Sequence, residues 1–153
     1  MSSGSAREAG AALGALAAAG LFVAAQLVLY GWTKTNPPVT SPAPWPDERA
    51  ESIARVACYA CHSNETDWPL YSYVAPMSWL VRRDVEGGRA EMNFSEWDED
   101  GADAAADAED EIVDGDMPPA NYRRIHRDAQ LSDEDAAILI DALEQMSESF
   151  DER

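Results

Sequence analysis

Cysteine is almost absent from this chain of 153 residues: Cys58 and Cys61 are the only two, three positions apart. No disulfide framework is therefore available to staple a small exported domain, and something else must supply the missing core. Lysine is scarcer still, with Lys34 alone beside ten arginines. Eleven basic residues face 29 acidic ones, a formal charge of −18, which excludes nucleic-acid binding through a basic surface. Histidine occurs twice, as His62 and His126. Strand alternation of useful length, internal repeats, Gly-rich phosphate loops and Ser/His/Asp sets are missing as well. These absences point to an all-α chain and away from an independent enzyme.

One long apolar run is present. Ala9 to Trp32 carries no charge, and Gln26 is its only strongly polar side chain. A helix of this length spans a hydrocarbon core of roughly 30 Å, with Tyr30 and Trp32 where an interfacial aromatic belt belongs. Val23-Ala24-Ala25 has the small-residue pattern of a signal cleavage site, yet the apolar run continues past it. The reading is an uncleaved signal anchor over residues 1–32, a single N-terminal transmembrane helix in contact with lipid. Arg7 and Lys34 flank it and leave its orientation open. Residues 33–46 are rich in proline and hydroxyl side chains and read as an extended, semi-rigid linker. Residues 47–153 form the remaining domain.

Within that domain, Asp47 opens a helix to about Tyr59, with Ala50, Ile53, Ala54 and Ala57 on its apolar face. Ser63 to Pro76 reads as an aromatic loop. Ser78 is expected to cap a short helix that stops at Gly87-Gly88. Ala102 to Val113 reads as one helix ended by Gly115, and Met117-Pro118-Pro119 as extended chain. Ser132 to Asp135 has capping-box spacing with Leu131 as a staple. Ala136, Leu139, Ile140, Leu143 and Met146 form one stripe of the last helix.

Cys58-Tyr59-Ala60-Cys61-His62 is C-x-x-C-H, the attachment signature of c-type haem. Two thiols three residues apart at a helix end can add to the two vinyl groups of one porphyrin. The next imidazole then falls under the iron as the proximal ligand. A thioredoxin-like C-x-x-C needs a strand–helix setting that is lacking. A zinc site would need four ligands, and adjacent Cys61 and His62 fit one tetrahedron poorly. Cys58, Cys61 and His62 are thus the cofactor-binding residues, with one covalent haem c as cofactor. For the opposite face of the iron, Met146 belongs to a core stripe, and Met77 and Met92 read as packing. Met117 is flanked by Gly115 and two prolines, which can hold a thioether at a fixed point. It is the expected distal ligand, and His126 is its rival. Arg123, Arg124 and Arg127 around His126 could pair with haem propionates.

The stretch C-Y-A-C-H-S-N-E-T-D-W-P-L-Y-S-Y-V-A-P-M-S-W-L resembles the haem-binding domain family of small, membrane-anchored monohaem cytochromes c. So do N-F-S-E-W, G-D-M-P-P, I-H-R-D-A-Q-L-S and the closing helix, from about Pro46 to Ser147. The resemblance implies a cytochrome c-like helical fold round one haem, with Cys58, Cys61 and His62 attaching it and Met117 as distal ligand. The acidity of Asp98 to Asp114 departs from that pattern.

The expected function is a one-electron carrier on the periplasmic, extracytoplasmic face of a membrane, since haem is attached outside the cytoplasm. Six-coordinate iron has no open position for substrate, and a His/Met pair raises the potential. Trp68, Tyr71, Tyr73, Trp79, Phe94 and Trp97 would shield the haem from water. A gas sensor or ligand binder, and a haem-bearing subunit of a membrane oxidoreductase complex, are the alternatives. Redox proteins are the expected partners. Eleven carboxylates between Glu96 and Asp116, with no Lys or Arg, could dock basic partners. The wide spread of the acidic excess favours a solvated surface suited to high salt.

Overall fold

The computed structural model describes residues 3–151, and it is all-helical: 65% is helix, and no strand occurs among the described residues. The chain forms two compact units. One joins the N-terminal segment up to Lys34 with Pro69–Arg83, and the other joins Thr35–Trp68 with the chain from Asp84 onward.

The first unit is built on α1 (Ser3–Gln26). Its stretch Arg7–Gln26 has a mean hydropathy of 1.7 with none of it buried, so this one helix is long and apolar enough to cross a membrane. The helix ends at Gln26, six residues before the apolar run does. Its last carbonyls are capped there: Leu27 and Val28 N–H groups close tight turns onto Ala24 and Ala25. Trp32 Nε1 donates to the Gln26 carbonyl at 3.0 Å. The Gln26 amide then acts as a piece of backbone. Its Nε2 donates to Phe22 O at 3.0 Å and Ala75 O at 3.2 Å, and its Oε1 accepts the Ala75 N–H at 3.0 Å. Gly31 turns the chain at φ +92°, where a Cβ would meet the Ser78 carbonyl at 2.9 Å. A 3₁₀ turn at Leu70–Tyr73 leads into α4 (Met77–Glu91).

The second unit contains α2 (Glu48–Ala57), α3 (Tyr59–His62), the later turns of α4, α5 (Glu99–Ala106), α6 (Ala108–Val113), α7 (Ala120–Ile125) and α8 (Asp133–Asp151). Asp47 caps α2 by accepting the N–H groups of Arg49 at 2.8 Å and Ala50 at 2.9 Å. Ser132 caps α8, its hydroxyl accepting the Asp135 N–H at 3.1 Å while donating to that carboxylate at 2.7 Å. Ala54 from α2, Ala102 and Ala105 from α5, and Leu139, Leu143 and Met146 from α8 form one cluster with Tyr59, Met92, Phe94 and Trp97. Fully buried Phe94, Leu139 and Met146 each contribute about 1.5–3 kcal/mol.

Several boundaries differ from those read in the sequence. The helix from Asp47 breaks at Cys58 (φ −120°, ψ −38°), so the cysteine pair straddles two short helices. α4 starts at Met77 and runs through Gly87-Gly88 to Glu91. Gly88 is a packing glycine: a Cβ there would sit 2.8 Å from the Cys61 carbonyl oxygen. The acidic helix is two, because Asp107 interrupts it between α5 and α6, and Asp98 caps the first through the Gly101 N–H. Residues 33–46 are extended, but the end of this segment is packed, unlike a linker. Thr40 and Ser41 N–H groups donate to Ser95 O, Ala43 N–H donates to Phe94 O, and Ala43 is buried.

Candidate functional site

The turn at Cys58 sets the geometry of the site. The Cys58 N–H donates to Ala54 O at 2.7 Å, completing α2. Its carbonyl accepts both the Cys61 N–H at 3.0 Å and the His62 N–H at 2.9 Å. That wrap sets Cys58 and Cys61 one turn apart, on the same side, with His62 next in line. Both thiols are free. Burial pushes Cys58 up to about 12, with the neighbouring Cys61 adding to it, and pushes Cys61 up to about 11, with Asp84 adding to it. They are protonated thiols at neutral pH.

The His62 imidazole is held from behind. Its Nδ1 lies 3.1 Å from the Met92 carbonyl oxygen. A carbonyl can only accept, so Nδ1 carries the proton and the Nε2 lone pair is left for a metal. Burial pushes the imidazole below its ordinary pKa, against the opposing pull of the Met92 and Gly88 carbonyls. Phe94 tilts against the ring at 6.3 Å and stacks on Tyr59 at 5.2 Å and Trp97 at 6.1 Å. Among the described residues of this unit, Trp97 Nε1 is the buried side-chain donor that lacks an acceptor.

A polar network backs the turn, and the sequence reading missed it. Arg89 on α4 donates from Nε to Ser63 O at 2.7 Å and from its terminal nitrogens to Thr35 O, Asn36 Oδ1 and Thr66 Oγ1 at 2.9–3.0 Å. Asn93 Nδ2 donates to Asn64 Oδ1 at 3.0 Å, and Asn64 Nδ2 donates to Glu96 Oε1 at 2.8 Å. The Asn64 N–H donates to Ser95 Oγ, and the Phe94 N–H to the His62 carbonyl. Ser63, Asn64, Thr66, Asn93 and Ser95 are all buried. The available signal was the density of small polar residues in S-N-E-T and N-F-S-E-W, too polar for ordinary core.

The methionines separate. Met92 and Met146 are buried in the core, and Met77 lies in the other unit, in the first turn of α4. Met117 is 39% exposed and lines a cleft of about 380 Å³ with Ile112, Val113, Pro118, Leu131 and Ile140. Its backbone is pinned, since the Asp116 and Met117 N–H groups both donate to Glu111 O at 2.9 Å. The Cys58 turn joins Cys58, Cys61 and His62, and none of the three lines that cleft. The His126 ring stacks on Tyr122 at 4.3 Å.

Among the described residues, no group of three or more His, Cys, Asp or Glu could hold a metal ion. The residues that would hold a haem here are Cys58, Cys61 and His62. Two thiols beside that imidazole fit such a group, and a haem carboxylate would be an acceptor of the right chemistry for Trp97.

A family model described as a haem-binding domain matches residues 20–145. Searches of curated proteins and of solved structures each return no match. The match covers most of the chain, and the chain belongs to the haem-binding domain family.

Proposed function

From that membership, we propose that the protein is a membrane-anchored monohaem c-type cytochrome that carries one electron at a time on the extracytoplasmic face. The observation that carries this reading is the Cys58–His62 turn, with two free thiols and an imidazole whose Nδ1 is engaged by Met92 O at 3.1 Å. Cys58 and Cys61 would hold haem c as thioethers, His62 would be the proximal ligand and Met117 the distal one. Bound there, haem c would supply a one-electron ferric/ferrous couple.

This chain's own residues do the rest. The Met92 carbonyl fixes the His62 tautomer and raises its basicity as a ligand. Arg89 and the Asn64–Asn93 pair hold the loop after His62 in one conformation, which limits reorganisation when charge changes. Phe94, Tyr59 and Trp97 keep water from the buried side of His62. The chain has no catalytic role of its own in this reading. α1 anchors it in the membrane, and its redox partners approach the second unit from solution or from a neighbouring membrane complex.

The test is an optical spectrum of the intact chain as isolated from cells that attach haem c. A pyridine haemochrome typical of two thioethers, and a weak near-infrared Met-to-iron band lost in Met117→Ala, are expected. A haemochrome showing free vinyl groups would overturn covalent attachment. Absence of the near-infrared band in the unsubstituted protein would overturn Met117 as ligand.

A second reading rests on the exposure of Met117 and its place on a short segment between Gly115 and Pro118. A thioether held there is displaceable, which suits a diatomic gas binder. Carbon monoxide binding to the ferrous protein without denaturant is the outcome that favours this reading over the carrier.

A further inference from the structure

The acidic character of the chain stops at the border of the first unit. The sequence up to Lys34 together with Pro69–Arg83 holds four cations, Arg7, Lys34, Arg82 and Arg83, against the single carboxylate of Glu8. The remainder holds seven cations and 28 carboxylates. The first unit also leaves large apolar side chains bare beyond the end of α1. Leu70 is 89% exposed, Tyr73 60% and Trp32 61%, with Leu27, Leu29 and Val74 exposed around them. Burying side chains of this size is favourable, and an open patch of them marks a surface that is covered by something.

The register of this patch is set by Gln26. Its amide bonds both the N–H and the carbonyl of Ala75, so the Leu70–Val74 segment is tied at the level of the last turn of α1. Lys34 Nζ lies 4.2 Å above the Tyr73 ring, and the Arg82 guanidinium lies 4.7 Å above the Tyr30 ring. Each cation thus sits on an aromatic face, an amphipathic pairing suited to the boundary between hydrocarbon and headgroups.

We infer that the Leu70–Val74 segment is a second membrane contact, an interfacial loop whose Leu70, Tyr73 and Val74 enter the headgroup–acyl boundary of an anionic bilayer beside the end of α1. The inference rests on the anchoring reading and deepens it. Lipid is the occupant because the patch is continuous with a bare apolar helix of membrane-spanning length and carries Lys34 and Arg82 on its aromatic rings. An amphipathic surface of that charge binds in the interface plane through apolar burial and attraction to anionic headgroups.

The test places a nitroxide at Leu70→Cys in the full haem-loaded chain, reconstituted at low density in vesicles of 7:3 phosphatidylcholine:phosphatidylglycerol. Val23→Cys on α1 and Glu144→Cys on α8 serve as references, and the unsubstituted chain treated the same way supplies the background. Collision with oxygen and with a water-soluble nickel chelate is read from power saturation. The expected result at Leu70 is nickel accessibility about fivefold below that at Glu144, with oxygen accessibility approaching that at Val23. Val23 in lipid with Leu70 open to the chelate would overturn the interfacial loop and leave the anchor standing. Val23 open to the chelate would overturn the anchor and the loop together. Leu70 shielded from both reagents would assign the patch to protein, such as a second copy of the chain, and overturn the lipid assignment. A chelate accessibility at Leu70 that rises in Lys34→Glu/Arg82→Glu would support the part played by the anionic headgroups, and no change would overturn it.

Discussion

The two units solve the same problem with opposite materials. The unit that contains α1 is short of carboxylates, exposes large side chains such as Leu70, Tyr73 and Trp32, and holds its Leu70–Val74 segment through the Gln26–Ala75 pair. The unit that contains α8 carries nearly all the carboxylates, hides Phe94, Leu139 and Met146 completely, and bonds buried Asn93 to buried Asn64. In the first unit the residues suit a surrounding that is itself apolar, and in the second they make an apolar interior for water to surround. The lesson is that hydropathy along one chain reports the solvent each part meets, and a mean over all residues reports neither.

The sharpest way to break this contrast is to withhold haem. The second unit has about a hundred residues and no disulfide, and in the proposed reading haem would supply the apolar area it lacks. In a Cys58→Ala/Cys61→Ala chain the helices of that unit are expected to melt while α1 stays helical in detergent. A native-like circular dichroism spectrum would contradict this. The haem-free unsubstituted chain gives an independent reading by alkylation at pH 8. Folded, burial would keep Cys61 at about 11, leaving about 100-fold less thiolate than at an ordinary pKa of 9.0 and labelling that much slower. Labelling at the unfolded rate is expected.

Arg89→Leu is next in size. It leaves Ser63 O, Thr35 O and Thr66 Oγ1 without their charged donor, and a loss of about 2–4 kcal/mol is expected in the haem-loaded protein. A chemical denaturation midpoint equal to that of the parent would remove the network from the account. Gly88→Ala forces a methyl to 2.8 Å from the Cys61 carbonyl oxygen and should cost about 1–3 kcal/mol. Salt has a milder effect. Moving from low salt to molar sodium chloride screens the carboxylates of the second unit and should stabilise it by on the order of 1 kcal/mol, read as a higher Tm of its haem band. The smallest effect separates adjacent residues: at Gly87 a Cβ meets nothing within 4 Å, so Gly87→Ala should stabilise α4 by about 0.5–1 kcal/mol. If Gly87 and Gly88 responded alike, the close crossing of α4 over Cys61 would be wrong.

What could be read from the sequence was local. Asp47 and Ser132 announce their helices because a cap needs only the next three residues, and the α8 stripe follows from a period of 3.6. The C-x-x-C-H motif stands out in the sequence for the same reason, since it lies within five residues. The continuation of α4 through Gly87-Gly88 was not legible, because its cause is the Cys61 backbone, far away in sequence. Arg89 was not singled out, since its four acceptors are scattered from Thr35 to Thr66. The break at Asp107 also escaped, because runs of alanine and acid carry no mark of where packing interrupts them, and α7 escaped because six residues are too few for a helical period to show.

The backbone pairing of Thr40–Ala43 with Phe94 and Ser95 has a practical consequence. Proteases bind their substrates as extended chain and need its N–H and C=O groups free. The proline-rich segment is tied earlier as well, with Thr35 O and Pro38 O accepting from Arg89 and Asn64, so limited digestion should release a soluble fragment that keeps Ala43 and Trp45. A fragment cut at Asp47 would lose both from the core and strip the Phe94 carbonyl of its donor. The second unit therefore begins several residues earlier than its first helix.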